Sequence, residues 1–181
     1  MEWLNSIDIH LFQLINGAGY EQIDNVMVLI SGKLTWIPLY LLLLYLSYKK
    51  FSAKFIWVLI SLGVLIFLAD YGSVHFFKEV FQRLRPCHQL DNIRIVAECR
   101  GLYSFVSSHA ANTFAIAFFM GLLFRNIWGF IFLFSWAVII GFSRVYLGVH
   151  FPFDIVGGMF WGLFVSLLVF KLLKLKLNEA A

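Results

Sequence analysis

Hydrophobic positions in this chain fall in long, nearly unbroken runs, not in strand-like alternation. Leu34–Tyr48 forms the first, and Val26–Gly32 is available to extend it past Lys33. Phe55–Phe77 is interrupted only by Asp70 and His75, and Ser104–Phe124, Ile127–Phe142 and Pro152–Phe170 complete the set. A helix crosses the hydrocarbon core of a bilayer with about 20 residues. Lipid offers backbone groups no hydrogen-bond partners, so the runs predict helices, about five of them spanning. The amino-terminal stretch has another rhythm. Trp3, Leu4, Ile7, Leu11, Phe12, Leu14 and Ile15 recur near i, i+4, i+8, opposed by Glu2, Asn5, Asp8 and Gln13. This is an amphipathic helix, either lying in the membrane interface or packed as a cap on the bundle. It is not a signal peptide, because Glu2 and Asp8 stand where a basic region belongs and no small-residue cleavage site follows. The fold expected is all-α: a polytopic transmembrane helix bundle over residues 1–181, one domain without internal repeats.

Composition sharpens this picture. Of 181 residues, 61% are hydrophobic and 13% charged, with a mean hydropathy of +0.85, against about 25% charged in soluble domains. That excludes a disordered chain, a coiled coil and a nucleic-acid-binding module. The net charge of +4 and pI near 9.1 describe the loops, whose natural partners are anionic lipid heads or phosphate. Five spans put the termini on opposite sides. Lys49, Lys50, Lys54, Arg125, Lys171, Lys174 and Lys176 lie on one side with one acid, Glu179. Lys33, Lys78, Arg83, Arg85, Arg94, Arg100 and Arg144 share the other with nine acids. The basic counts tie, and context orients the first set toward the cytoplasm, with the amino terminus outside.

Charge gathers in three places. The one long connection, Lys78 to Tyr103, carries Lys78, Arg83, Arg85, His88, Arg94 and Arg100. If the second span continues as a helix to its end, Lys78 and Arg85, seven residues and about 700° apart, share one face about 10 Å from each other. They then form a clamp for an anion, although basic residues flanking a span also simply meet lipid heads. Ser107 and Ser108 stand where the third span begins, either being a natural N-cap, and the helix end favours an anion. His109 lies at its mouth. Between the fourth and fifth spans, Arg144 ends an uncharged run and needs a partner, Pro152 fits a first helical turn, and His150 and Asp154 flank it. An Asp there fixes an imidazole tautomer and strengthens the far nitrogen as a nucleophile. Alternating helices return all three clusters to the same face of the membrane.

Together these residues resemble the type 2 phosphatidic acid phosphatase superfamily, which also contains vanadium-dependent haloperoxidases. Lys78, Arg85 and Pro86 meet its K-x6-R-P motif, and Ser143, Arg144, His150 and Asp154 meet S-R-x5-H-x3-D in full. P-S-G-H is met in part by Val106-Ser107-Ser108-His109, with Val for Pro and Ser for Gly. Ser108 retains an amide and adds a hydroxyl, so anion binding survives unless the position requires positive φ. The resemblance covers residues 78–154 and implies roles. Lys78, Arg85, Arg144, Ser107 and the amide of Ser108 hold phosphate oxygens; His150 attacks phosphorus, oriented by Asp154; His109 serves as general acid and then base. No metal and no other cofactor is expected, since side chains supply the positive charge.

The resemblance further implies an integral membrane phosphatase of the bacterial inner membrane, its site outward. Its partner would be a lipid phosphate or diphosphate, undecaprenyl diphosphate first and a lipid A phosphate second, with phosphatidylglycerol phosphate or phosphatidic acid also available. A lipid-to-lipid phosphotransferase would use the same residues, and a transporter or scaffold with a decayed site is the non-enzymatic alternative. The soluble haloperoxidases fit this apolar chain poorly. Cys87 and Cys99 fall in the same long loop and form either a disulfide, plausible outside the cytoplasm, or two free thiols. Gly158 and Gly162 make a GxxxG suited to close packing within the bundle in preference to a dimer face.

Overall fold

The computed structural model describes residues 2–179; Met1, Ala180 and Ala181 of the expected 1–181 domain lie outside the described residues. The described residues form no named strand. Two helices precede the bundle, α1 (Glu2–Gly17) and α2 (Glu21–Ser31). Next come α3 (Ile37–Phe51), entered by a single 3-10 turn at Leu34–Trp36, and α4 (Phe55–Gly72). Helix α4 runs on through a π-helical stretch, Ser73–Lys78, into a last turn, α5 (Glu79–Phe81). A short α6 (Pro86–Gln89) lies in the long connection, and α7 (Ser108–Phe124), α8 (Ile127–Tyr146) and α9 (Pro152–Glu179) complete the chain. Leu34–Phe81, Ile127–Tyr146 and Pro152–Leu177 are long and apolar enough to cross a membrane, and Ser108–Phe124 is a shorter apolar helix. The first of these folds back at Ser52, where φ is 45°. This is an all-α membrane helix bundle.

Several boundaries differ from those the hydrophobic runs suggest. Val26–Gly32 does not lengthen the first span: it belongs to α2, which stops at Gly32 in extended conformation. The third helix starts at Ser108, not Ser104, because Ser104 is spent on the loop, donating its amide to Arg83 O. Helix α8 continues past Phe142 to Tyr146, so Arg144 sits in its last turn.

The two ends of the bundle differ. Lys50 Nζ reaches Leu123 O and Phe124 O at the far end of α7, and Lys54 Nζ reaches Leu177 O on α9. At the other end Trp161 Nε1 bonds Ala69 O, and Ser107 N bonds Asp154 O. Helices α7 and α9 therefore run parallel from the same end, α3 runs the same way, and α4 and α8 run against them. The core between them contains Leu65, Ala69, Phe114, Phe119, Met120, Ile140 and Val165.

Close approach of α7 and α9 is a matter of missing side chains. A Cβ on Gly158 would stand 2.8 Å from Ser107 O, and one on Gly162 2.7 Å from Ala111 O and 2.8 Å from Ala115 N. The GxxxG thus packs within the bundle, against backbone that has no room to yield. Ser166 Oγ, one turn further along, donates to Ala115 O at 2.9 Å.

Helix α1 caps the bundle, and its buried stripe reverses one expectation. Asp8, read as part of the polar face, is fully buried with Phe12 and Asn16 at i+4 and i+8, while Trp3, Leu4 and Leu14 are exposed. Asp8 accepts from Phe153 N at 2.8 Å and pairs with Arg83 at 2.7 Å. Asn16 bonds Arg94 and Tyr146 O, and Asp24 on α2 holds Arg94 and the Tyr146 hydroxyl. The helix docks by these polar contacts together with Phe12, buried against Phe151 and Val145, and leaves Trp3, Leu4, Leu11 and Leu14 exposed to meet lipid.

Replacing Gly162 by Val forces α7 and α9 apart. Overpacking of this kind costs about 1–3 kcal/mol, and thermal unfolding in detergent micelles is expected to move down accordingly, whereas Gly63→Ala, with nothing within 4 Å of its Cβ, does not lower it.

Candidate active site

The second span does not carry Lys78 and Arg85 on one helical face. Gln82 adopts a left-handed conformation, φ 46°, and ends the helix after Phe81. Residues 83–85 then run extended: Leu84 bridges antiparallel to Tyr103, and Arg85 N donates to Leu102 O at 3.1 Å. On an extended segment residues two apart share a side. Arg83 and Arg85 therefore approach the same target from one stretch of backbone. Cys87 and Cys99 are bonded to each other and tie this stretch to its neighbour. Among the described residues, the one group of Cys, His, Asp and Glu ligand atoms close enough to share an ion is Cys87, His88 and Cys99, and its two sulfurs are already joined.

That target is a His–Asp pair at the start of α9. His150 Nδ1 lies 3.3 Å from Asp154 Oδ2, which also accepts from Phe151 N at 2.8 Å. Asp154 Oδ1 accepts from Arg83 Nη1 at 3.0 Å. A carboxylate only accepts, so the proton of His150 belongs on Nδ1 and the lone pair on Nε2. Arg85 Nη1 stands 3.2 Å from that Nε2 and donates to Val149 O at 3.0 Å. One arginine thus holds the pair from behind and the other meets it in front. Arg83 also lies over the Phe151 ring at 4.1 Å. His150 and Asp154 are almost wholly buried.

Lys78 arrives by a different device. In the π-helical stretch hydrogen bonds close from i to i+5, which stacks residues five apart; in an α-helix those residues point about 140° away from each other. Ser73 and Lys78, five apart, both reach Ser108 at 2.7 Å. Lys78 donates to Ser108 Oγ, which frees the Ser108 hydroxyl to donate to Ser73, and Ser73 in turn donates to Asp70 O at 2.7 Å. Ser107 is the N-cap of α7, fully buried, its hydroxyl 3.5 Å from Ala110 N. The first-turn amides that follow have no acceptor within the helix. Arg144 donates to Ser31 Oγ at 2.5 Å, the partner its position demanded, and its Nε is buried without one.

Lys78, Arg85, Ser108, His109, Arg144 and His150 line one cavity of about 640 Å³, with Lys33, Arg100, Asp70 and Asn112 on its walls. Ser107, Asp154 and Arg83 stand behind that wall. An apolar groove of about 330 Å³ between α3, α4, α7 and α8 adjoins it, lined by Trp36, Tyr40, Leu62, Ile116, Met120 and Ile140. Ser31, Gly32, Lys33, His109 and Asn112 line both spaces. A cationic cavity able to grip an anion opens directly onto a slot for hydrocarbon.

The family model of the PAP2 superfamily matches residues 54–177. The chain belongs to this superfamily. It is 33% identical to a lipid A 4'-phosphatase of Porphyromonas gingivalis over 176 residues, 94% of this chain and 75% of that protein. It is 31% identical to an undecaprenyl-diphosphatase of Sulfolobus acidocaldarius over 166 residues, 89% of this chain and 76% of the other. Among solved structures, a transmembrane PAP2-type phosphatidylglycerolphosphate phosphatase of Bacillus subtilis superposes with a TM-score of 0.67 and 25% identity, covering 93% of this chain and 85% of that one. This PAP2 protein is a membrane phosphatase, a phosphoric ester hydrolase of lipid substrates.

Arg83 and Asp8 are the site residues that sequence reasoning missed. Neither belongs to a motif, and only the extended geometry of 83–85 reveals that the position two before Arg85 faces the same way. Burial pushes the Asp8 carboxyl above the ordinary aspartate range, opposed by the Phe153 amide and by Arg83.

Burial, reinforced by Arg85, Arg144 and Lys78, holds the His150 imidazole well below its usual value of 6.5. In the unfolded chain His150 takes up a proton as pH falls through about 6.5, while in the folded protein it stays neutral, so its contribution to stability is present above that pH and is lost below it. The expected slope is at most about 1.4 kcal/mol per pH unit. Thermal unfolding between pH 7.5 and 5 is expected to fall more gently in His150→Gln than in the unaltered protein, and parallel curves would refute the neutral assignment.

Proposed function

We propose that this PAP2 protein hydrolyses a lipid phosphate through a phosphohistidine on His150, without a metal, from the outer face of a bacterial inner membrane. The observation that carries the reading is the His150–Asp154 pair, whose outer nitrogen, met by Arg85, faces a wall of cations where a polar cavity meets an apolar groove. Lys78, Arg85, Arg144, Ser108 and the first amides of α7 grip the phosphate oxygens and stabilise charge in the transition state. Ser107 reaches an oxygen only by releasing its cap on Ala110. The bound anion also draws Arg85 Nη1 from His150 Nε2, freeing the lone pair. Nε2 then attacks phosphorus as the bond to the lipid oxygen breaks, and Asp154 steadies the imidazolium. His109 lies where cavity and groove meet, which is where the leaving oxygen of a lipid must be. It donates a proton to that oxygen, then takes one from the water that cleaves the phosphorus–nitrogen bond.

Two substrates lead: a lipid A phosphate and undecaprenyl diphosphate. A relative bearing each name supports each, and the groove offers apolar lining beside the cavity to part of the chain of either.

Detergent-purified protein is expected to release orthophosphate from such lipids in excess chelator. His150→Ala is expected to lose about 10³-fold or more in kcat, and a denaturing quench with 32P-labelled substrate to trap an acid-labile label on the unaltered protein only. Activity surviving His150→Ala refutes the nucleophile. Loss in chelator restored by magnesium refutes metal independence. Transfer of label to a second lipid in place of orthophosphate identifies a phosphotransferase.

Two features support an outward site. The Cys87–Cys99 disulfide suits an oxidising compartment, and Lys49, Lys50, Lys54, Arg125, Lys171 and Lys174 lie at the far end of the bundle. After reduction of intact cells, an impermeant thiol reagent is expected to label Cys87, and labelling only after permeabilisation reverses the orientation.

A further inference from the structure

A pocket meant for phosphate alone has no use for hydrogen-bond acceptors, yet this one contains two that the phosphatase mechanism leaves idle. Asp70 on α4 and Asn112 on α7 line the cavity side by side, with Asn112 Nδ2 donating to Asp70 Oδ1 at 3.0 Å. The carboxylate only accepts, so it fixes the amide orientation: the NH2 turns toward Asp70 and the carbonyl away. Asn112 Oδ1 is buried and has no partner. An unpaired buried carbonyl is costly to keep, and a negative charge among Lys33, Lys78, Arg85, Arg100 and Arg144 weakens the hold on a phosphate. Glu98, the other acid lining the cavity, is occupied by Arg100 at 2.7 Å, so it does not duplicate the pair.

Position says which part of a substrate meets them. Asn112 follows Ser108 by four residues and His109 by three, hence lies on the same face of α7, and it lines both the polar cavity and the apolar groove. It stands beside the place where the leaving oxygen joins the rest of the lipid. Resting on the lipid phosphatase reading, we propose that Asp70 and Asn112 form an acceptor ledge that reads hydroxyl or amide N–H donors on the group bearing the phosphate, and so select a phosphorylated glycolipid. Sugars carry such donors next to the phosphate. Phosphatidic acid and polyprenyl diphosphates carry none: their esters and alkenes only accept or do neither. The ledge and the cations divide the work, with the cations holding the phosphate and the ledge holding what it is attached to.

The test compares three lipids in mixed micelles: a diacylated glucosamine 4-phosphate, phosphatidic acid with the same chains, and a polyprenyl diphosphate. In the unaltered protein kcat/KM favours the glycolipid. Asn112→Leu, which keeps bulk and removes the acceptor, is expected to lower the glycolipid-to-phosphatidic-acid ratio about tenfold or more, mostly through KM, the size expected for a lost hydrogen bond in a site built to make it. Asp70→Asn, on the other helix, lowers the same ratio and carries the test if Asn112→Leu fails to fold. Equal losses on all lipids, an unchanged ratio in both variants, or a preference of the unaltered protein for a donor-free lipid overturns the ledge. Binding is read separately in His150→Ala protein, where the glycolipid phosphate is expected to raise the melting temperature more than phosphatidic acid and Asn112→Leu to abolish the difference. Equal shifts for the two lipids overturn the ledge. Absence of turnover in the unaltered protein on every lipid instead refutes the phosphatase reading, and the binding comparison still decides the ledge.

Discussion

Everything at the polar end of this molecule depends on two parallel helices lying close together. Helices α7 and α9 begin side by side, joined by Ser107 N to Asp154 O, and Gly158 and Gly162 let their backbones approach where a Cβ would meet backbone at under 3 Å. Parallel neighbours place two positive helix ends together, which is unfavourable by itself. The same end holds Lys78, Arg85 and Arg144, so it concentrates positive charge that Asp70 and Asp154 offset only in part and that suits an anion. The apolar packing below it, from Phe114 to Phe119 on one helix and Val165 to Phe170 on the other, supplies the rigidity that keeps these charges from spreading apart. Function at one end is thus sustained by contacts that contain no functional group.

The amino acids legible in advance were those whose chemistry is conspicuous against a hydrophobic background. His150, Asp154, His109, Arg144, Arg85 and Lys78 stood out because charge is scarce here, and their spacing tied them to one family. What could not be read was how the backbone delivers them. Lys78 reaches Ser108 because α4 loosens into a π-helical turn, and Arg85 reaches His150 because Gln82 stops the helix in a left-handed conformation; a regular helix satisfies the same spacing with a different geometry. Gln82 is neither Gly nor Asn, so its residue type does not announce the turn. Asp8 departs for the opposite reason: in an amphipathic pattern a carboxylate reads as solvent-facing, and its bond from Phe153 N together with its pairing with Arg83, itself engaged with Asp154, accounts for its burial.

Arg83 changes how the His–Asp pair is understood. Asp154 is held by four groups, Arg83, Phe151 N, His150 Nδ1 and, at 3.5 Å, Ser104 Oγ. With so many donors its carboxylate has little freedom to turn, and His150 inherits that orientation. Because Arg83 also pairs with Asp8, the amino-terminal helix becomes a strut for the pair, although it lies far from it in sequence.

The division between donors and acceptors in the cavity follows from the same economy of charge. Phosphate is an acceptor, so the groups proposed to hold it must donate, and Lys78, Arg85, Arg144 and the start of α7 are all donors. An Asp in that company weakens phosphate binding unless something else in the substrate repays it, and the Asn112 carbonyl beside it costs free energy until a donor arrives. Both costs vanish together if the group attached to the phosphate brings hydroxyls or an amide. The groove below then needs to recognise nothing beyond hydrocarbon, which leaves selection among lipids to the two residues placed between the chains and the phosphate.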